Sequence, residues 1–446
     1  MQRSARRTFM TGIALAAVGL AGCDDDLNPV GPDDPNDPND PGSEPIAVPD
    51  AYAFDSRFVD GEISVAYPGQ TVRNLLTQDL RIMIDNLATE DASPVSVQDL
   101  LDRYDYRDEL DLETLTGIDG AEALEAAYSA IATDKNLSGK ISDATVIGFG
   151  SPADELIRDW FQLIAENSED PDKLGTPAVY TTDDGLHMSQ MVEKLLMGAV
   201  VYYQGTGVYL TDDVLLGADN TEAEEGKPYS SMEHKWDESF GYFGAARDFK
   251  EYSDADLAGE SSDFTSDSNS DGFIDFRSEY NFGWARYAGK RDSGGSDVDF
   301  TDEIFQAYLN GRTAIVNEAT TQEVTAERQV VAEGWEKLVA ANVVHYLNDS
   351  LEDVEELTED EVADKSNDSY NAHWAEARSF VVALQYNPFK LVSDTELEDL
   401  AGLLGTAPTY AVPGSEAHDQ LVADLNAAKD IVQDVYGFSD ANMAAW

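Results

Sequence analysis

Residues 267–275 read DSNSDGFID, with an Asp or Asn side chain at every second position except 273, which is Phe. Such alternation around a sharp glycine turn is typical of loops that bind Ca²⁺, a hard cation that takes about six to eight oxygen ligands. The predicted ligands are Asp267, Asn269, Asp271, the carbonyl of Phe273, Asp275 and Glu279. Glu279 comes one residue later than the standard closing glutamate, because Ser278 occupies that position. The sequence predicts a structural calcium clip, and the alternative is a solvent loop of Asx turns.

Two further segments combine a histidine with carboxylates at helical spacing. His234 precedes Asp237 by three residues and Glu238 by four, and His373 precedes Glu376 by three. On a helix these spacings place the imidazole and the carboxylate on one face. Facing helices of a bundle build metal sites from such side chains, so the five residues are candidate ligands of iron or another metal. The alternative is a histidine at a helix interface, held by the neighbouring carboxylate.

The other three histidines have no comparable setting in the sequence. His345 lies within the apolar stretch VVHYL, which favours a satisfied core histidine. His187 precedes a predicted helix and His418 is adjacent to Asp419, and we expect both at the surface.

The first 23 residues have the order of a bacterial export signal. Three arginines precede an apolar run over residues 9–20. The sequence LAGC then covers residues 20–23 and ends at Cys23. The run is shorter than the roughly 20 apolar residues of a transmembrane helix, so residues 1–22 are expected to be a cleaved signal peptide and Cys23 a lipidated residue. The RR pair within RRTFM fits either twin-arginine or ordinary export. We therefore expect a protein of the cell envelope, anchored to a membrane by lipid on its periplasmic or cell-surface side.

Residues 23–49 are rich in Pro, Asp and Asn and predict a disordered tether behind the lipid. Cys23 is the only cysteine of the chain. Its lipidation would leave the mature protein without a thiol. Disulfides, thiolate metal sites and cysteine nucleophiles are therefore excluded.

The chain is strongly acidic, with 88 Asp and Glu against 28 Lys and Arg, a formal net charge of −60. A surface of this sign repels nucleic acid, so we expect no nucleic-acid partner. Self-repulsion of this size is relieved by concentrated salt, which favours a saline habitat.

The elements that must position these residues are predicted to be helices. Apolar residues recur at spacings of three and four after the turn at Pro68, from Val72 to Leu87, and again from Leu156 to Ile164. Further helices are predicted over about 188–203, 231–249, 301–316, 326–347, 370–384 and 415–435. The prediction is an all-α antiparallel bundle spanning residues 50–446. It can be divided into lobes of about 50–252 and 300–446, linked by the calcium loop region 253–299.

On these residues the chain resembles the imelysin group of bacterial envelope proteins, and more closely an uncharacterised lipoprotein family related to it. The resemblance is carried by the lipobox, YAFDS at 52–56, HKWDESFGYFG at 234–244, and the calcium-type loop followed by FRSEYNFG at 276–283. It implies a two-lobed helical bundle linked to iron or haem acquisition, with a GxHxxE motif. Here Met232 replaces the glycine of that motif and Asp237 its glutamate, whereas the second segment carries Asn371, His373 and Glu376.

The leading hypothesis is a non-enzymatic binding lipoprotein that handles iron, haem or an uptake partner at the envelope. One alternative is a metal-dependent hydrolase or peptidase with Glu238 or Glu376 as base, although HExxH, GxSxG, phosphate-loop and dinucleotide motifs are missing from the sequence. A second alternative is a surface interaction protein that calcium makes rigid.

Overall fold

The structure is a computed structural model that describes residues 45–118, 121–259 and 264–446. The predicted signal peptide, Cys23 and most of the predicted tether lie outside the described residues. The described residues from 45 onward form one compact unit. Division of this unit into two lobes stays a prediction.

The protein is predominantly helical, which confirms the predicted all-α class. The α-helices of the described residues are α1 Pro68–Asp85, α2 Val97–Tyr104, α3 Tyr128–Ile131, α4 Ala153–Ser168, α5 Met188–Leu196, α6 Ser231–Phe243, α7 Asp254–Ala258, α8 Gly283–Asp292, α9 Phe300–Val316, α10 Thr321–Glu356, α11 Glu359–Asp364, α12 Asp368–Ala383, α13 Asp394–Leu404, α14 Glu416–Tyr436 and α15 Asp440–Ala445. Short 3₁₀-helices span Asn86–Ala88, Asp108–Leu110, Pro177–Val179, Phe249–Glu251 and Leu384–Tyr386. Two two-residue strands, β1 Glu122–Ala123 and β2 Phe273–Ile274, pair in parallel.

The π-helix Met197–Val208 follows α5 directly, and a second π-helix, Asp212–Leu216, comes after a short turn. The sequence predicts one regular helix over about 188–203, but the structure widens to π geometry from Met197 onward. Close packing accompanies this change, because a Cβ on Gly205 would lie 2.7 Å from the ring of Trp335. π-Helical turns are rare in proteins, and those that do occur are frequently found at functional sites.

Side-chain caps fix where several helices begin. Ser230 accepts a hydrogen bond from the N–H of Glu233, and the Glu233 carboxylate accepts one from the N–H of Ser230, so the two residues form a capping box at α6. The predicted helix over 231–249 ends early, because Gly244 adopts a left-handed backbone at φ 82°. Helix α10 is longer than predicted, since its capping box at Thr320 starts it ahead of the apolar pattern.

Helix α10 lies at the centre of the fold and packs against α8, α9, α12 and α14. Aromatic residues fill the space between these helices, and Trp236, Trp284, Trp335 and Trp374 are fully buried. Helix α5 packs on α12 from one side and on α1 from the other. The predicted histidine segments lie on α6 and α12, which both pack against the π-helix Met197–Val208.

Within the three described stretches, no helix combines the length and the apolar character needed to cross a bilayer.

Candidate functional site

Asp237 of α6 belongs to a buried ion network. The guanidinium of Arg312 donates from Nε to Asp237 Oδ1 and from Nη1 to Glu233 Oε1, at 2.9 Å each, and all three side chains are fully buried. Asp237 also accepts hydrogen bonds from the Tyr52 hydroxyl at 2.7 Å and from the Ala66 N–H at 3.2 Å. Burial raises the pKa of Asp237, while Arg312 opposes that shift. The carboxylate thus joins α6 to α9 and to the chain before α1.

His234 and Glu238 lie together on another part of α6. The imidazole of His234 stacks on Tyr229 with ring centroids 4.6 Å apart, and its Nε2 is 3.9 Å from Glu238 Oε1. Glu238 accepts hydrogen bonds from the Gln70 amide at 3.2 Å and from Lys235 Nζ at 2.9 Å. The buried Nδ1 of His234 has no hydrogen-bond partner in the described structure.

The second histidine segment brings together a set that the sequence does not place side by side. His373 of α12 lies 2.7 Å from Asp353 Oδ2 through Nδ1 and 3.9 Å from Asp349 Oδ2 through Nε2. His345 of α10 approaches the same Asp349 oxygen with its Nε2, at 3.3 Å. We refer to His345, Asp349, Asp353 and His373 as the α10–α12 histidine cluster. Their side chains are 18–30% exposed, so solvent reaches the cluster.

The pKa values of the two imidazoles in this cluster are shifted in opposite directions. Burial, with Arg291 beside it, lowers the pKa of His345 to about 3. Burial also acts to lower the pKa of His373, but the hydrogen bond and charge of Asp353 outweigh it, so that this pKa is raised. His345 is therefore neutral near pH 7, and Asp353 fixes the orientation of the His373 ring.

Glu376, the predicted partner of His373, forms an ion pair with Lys194 at 3.5 Å. It lies outside the hydrogen bonds and ion pairs of the α10–α12 histidine cluster. In the described residues no hydrogen bond or ion pair joins the His234 segment to the His373 segment. Among these described residues, no group of three or more His, Cys, Asp and Glu side chains is placed so that it could hold a metal ion as it stands.

The calcium-type loop is folded around its own carboxylates. Asp267 accepts hydrogen bonds from the N–H groups of Asp271 and Gly272, at 3.0 and 2.8 Å. The buried Glu279 closes the loop, since its Oε1 accepts from the Ser268 N–H and its Oε2 from the Asp275 N–H. Gly272 has φ 90°, the backbone that the glycine position of such a loop requires.

The same loop is tied to the rest of the protein through β2. Phe273 and Ile274 pair with Glu122 and Ala123, and the Ile274 side chain is buried. The loop is thus a folded clip between distant parts of the chain.

Several residues differ from their predicted settings. His187 and His418 are buried and are not surface residues. The Nδ1 of His187 accepts the N–H of Gln190 and caps α5, and the Nε2 of His418 lies 3.2 Å from the carbonyl oxygen of Val354. His345, predicted as a core histidine, has a side chain that is 29% exposed. The signal that could have revealed its setting is the i, i+4, i+8 spacing of His345, Asp349 and Asp353 on a single helix face.

In a comparison with known families, residues 49–390 match the family described as "Domain of unknown function (DUF4856)". This match covers α1 to α12 and thus both histidine segments and the calcium-type loop. No curated protein and no solved structure is significantly similar to the chain. The matched residues make up most of the chain, which therefore belongs to the DUF4856 family.

Proposed function

We propose that this chain is an envelope-anchored lipoprotein that binds iron or another transition metal without converting a substrate. The observation that supports it is the approach of two imidazoles from different helices to one carboxylate oxygen, in the α10–α12 histidine cluster. The proposal of an anchor rests on the leader that ends at Cys23. The likeness to imelysin rests on the motifs at 52–56, 234–244 and 276–283 and agrees with a role in metal uptake.

The cluster would hold a metal only after its side chains moved closer together. Ligand atoms about 2.0–2.1 Å from a tetrahedral Zn²⁺ lie about 3.3 Å from one another. The Nε2 atoms of His345 and His373 are 3.3 and 3.9 Å from Asp349 Oδ2. A shift of about 0.6 Å in the His373 ring, from 3.9 to 3.3 Å, would bring both imidazole nitrogens to ligand spacing from the Asp349 oxygen.

The protonation of His345 supports the same proposal, whereas the raised pKa of His373 means that a metal must displace a proton from that ring. A metal binds the neutral imidazole, and the low pKa of His345 keeps that ring neutral. The contact between His373 Nδ1 and Asp353 leaves Nε2 as the free nitrogen, the carboxylate–histidine arrangement that surrounds many metal ligands. The neighbouring cations Lys290 and Arg291 lower the pKa of His345 and oppose a bound metal, so the expected affinity is moderate.

Calorimetric titration of the purified protein with Fe²⁺, Zn²⁺ and Co²⁺ tests the site. We expect one ion per chain, and His373→Gln and Asp349→Asn should each weaken binding by about tenfold or more, since each removes a ligand. His234→Gln is the matched control, because His234 belongs to the other segment. Unchanged affinity in both cluster variants would contradict the assignment, and loss of affinity in His234→Gln alone would move the site to α6.

The proposed anchor has its own test. Mass spectrometry of the protein from its native membrane should find an amino terminus at Cys23 with the added mass of acyl chains. Cys23→Ser should release the protein from the membrane fraction. A chain that still begins with Met1 would overturn this part of the proposal.

A second proposal, that calcium rigidifies the domain, is favoured by the closed shape of the loop around Glu279. Thermal melting with Ca²⁺ and with a chelator tests it. Calcium should raise Tm in the native protein but not in Asp267→Asn, while Asp302→Asn, on the exposed first turn of α9, should respond like the native chain. Equal Tm values with and without calcium would contradict the proposal that calcium rigidifies the domain.

The hydrolase alternative receives less support. Each carboxylate that it would use as base is engaged by a lysine, Glu238 by Lys235 and Glu376 by Lys194. Burial alone would raise the pKa of Glu238, yet His234 and Lys235 together lower it, which makes the carboxylate a weaker base.

A further inference from the structure

Four cationic side chains from three parts of the fold meet beside the His234 segment. Arg73 comes from α1, Lys135 and Lys140 from the segment between α3 and α4, and Lys235 from α6. Lys135 lies against Gly69 together with the Arg73 guanidinium, since a Cβ on Gly69 would be 3.1 Å from Lys135 Cε and 3.4 Å from Arg73 Nη1. We call these four residues the basic cluster.

Two lysines of the basic cluster, Lys140 and Lys235, lie close to the same tyrosine, Tyr209. Lys140 Nζ donates to the Tyr209 hydroxyl at 3.1 Å. The Nζ atoms of Lys140 and Lys235 lie 5.5 and 5.6 Å from the centroid of the Tyr209 ring. Two ammonium groups thus share one aromatic ring, which partly offsets their mutual repulsion.

The basic cluster is unusual because the chain has 88 acidic residues and only 28 Lys and Arg. Among the described residues, Arg73, Lys135 and Lys140 form no ion pair, and Lys235 pairs with Glu238 alone. Burial and the adjacent cations, Arg73 first, lower the pKa of Lys140. With acidic side chains so abundant, four cations held beside a single carboxylate, that of Glu238, indicate that the missing negative charge comes from outside the chain.

An unsatisfied hydroxyl lies next to the same cations. Tyr242 is fully buried, its ring stacks on that of Tyr209 at 5.9 Å, and its hydroxyl makes no hydrogen bond of good geometry in the described structure, although the Arg73 guanidinium lies next to it. Arg73 and Glu238 are the charged groups that act on this hydroxyl. A buried hydroxyl without a partner costs free energy unless a ligand completes its bonding.

We propose that the basic cluster, with Tyr209 and the hydroxyl of Tyr242, binds a small oxyanion, either a carboxylate or a phosphate group of a soluble ligand. Ammonium and guanidinium groups supply charge-assisted hydrogen bonds to such oxygens, and a tyrosine hydroxyl adds a neutral donor. Lys140, Lys235 and His234 are partly exposed, so the ligand can enter from solvent. The site uses none of the α10–α12 histidine cluster, and its failure would leave the proposed metal site unaffected.

Titration calorimetry of the full folded domain with inorganic phosphate and with citrate, in about 0.15 M NaCl, tests the proposal. We expect saturable binding of at least one of the two. Lys140→Gln should weaken binding by about tenfold or more, since it removes one charge-assisted hydrogen bond. Preference for phosphate or for citrate then identifies the source of the oxyanion.

Two variants separate binding from folding. Tyr242→Phe removes the unpartnered hydroxyl and should weaken the anion while leaving Tm unchanged or higher. Lys429→Gln in α14, a lysine without an ion pair in the described structure, is the matched control and should bind like the native protein. Absence of binding to both anions, or equal affinity in Lys140→Gln, Tyr242→Phe and Lys429→Gln, would overturn the proposal.

Discussion

His187 stabilises α5 only while its ring is neutral. Its Nδ1 accepts the Gln190 N–H at 3.2 Å, and burial lowers its pKa to about 3. The unfolded chain takes up this proton near pH 6.5, so the contribution of His187 to stability is present above that pH and is lost as the pH falls toward 3. His187→Asn keeps a capping oxygen but has no group that titrates in this range. Between about pH 7.5 and 5.5, we expect the free energy of unfolding to fall by about 1.4 kcal/mol less in this variant than in the native protein.

Urea unfolding of the two proteins at both pH values measures this difference. His345 also has a lowered pKa and stays in both proteins, so it cancels in the comparison. Parallel pH dependences would show that His187 takes up its proton in the folded state as readily as in the unfolded chain.

Arg312 is the cation on which the buried carboxylates of α6 depend. Arg312→Met would leave Asp237 without its ion pair in a fully buried position, while Glu233 would keep only Arg57. Loss of one partner of a buried pair costs about 3–5 kcal/mol, and we expect that decrease in the free energy of unfolding. Arg158→Met, in a partly exposed pair, should cost less than about 1 kcal/mol. Equal losses in chemical denaturation would contradict the assigned role.

At this scale the sequence identifies pairs on one helix but not partners from other helices. The spacing of His234 and Glu238 predicts their proximity, which the structure has. It could not predict that Asp237 faces Arg312 of α9, or that His373 meets Asp353 of α10, because these contacts depend on how the helices pack.

At the scale of elements, α6 and α9 approach closely where Gly311 faces Trp236. A Cβ on Gly311 would lie 2.1 Å from the Trp236 ring. We expect Gly311→Ala to lower the free energy of unfolding by at least about 1–3 kcal/mol, since the helices must separate. Gly402→Ala, in α13 with open space around it, should instead stabilise the protein by about 0.4–1 kcal/mol. Similar effects of the two variants on denaturant midpoints would refute the proposed close contact.

The helices with a clear apolar period, α1, α4, α9, α12 and α14, could be predicted from the sequence. Helix α8 and the π-helices could not. Helix α8 is short and carries buried residues around most of its surface, and the π-helix that starts at Met197 packs closely on Ala383 and Trp335 at Gly198 and Gly205, contacts that the sequence does not reveal. Periodicity along the chain therefore indicates helices with one buried face better than helices buried on several sides.

At the scale of the whole molecule, charge repulsion opposes folding. The formal net charge is −60, and the Debye length falls from about 10 Å at 0.1 M salt to about 3 Å at 1 M. We expect Tm to rise as NaCl increases over this range, and KCl to act equally because screening depends on ionic strength. Differential scanning calorimetry measures the shift, and a Tm that falls or stays constant would mean that the acidic surface does not limit stability.

The central claim, that the protein carries a metal ion in the α10–α12 histidine cluster, is tested most directly by elemental analysis of protein purified from its native source. The account predicts about one equivalent of iron or another transition metal per chain, lost in the His345→Gln/His373→Gln double variant and kept in His234→Gln. A native protein without transition metal, or a double variant that retains the full equivalent, would contradict it.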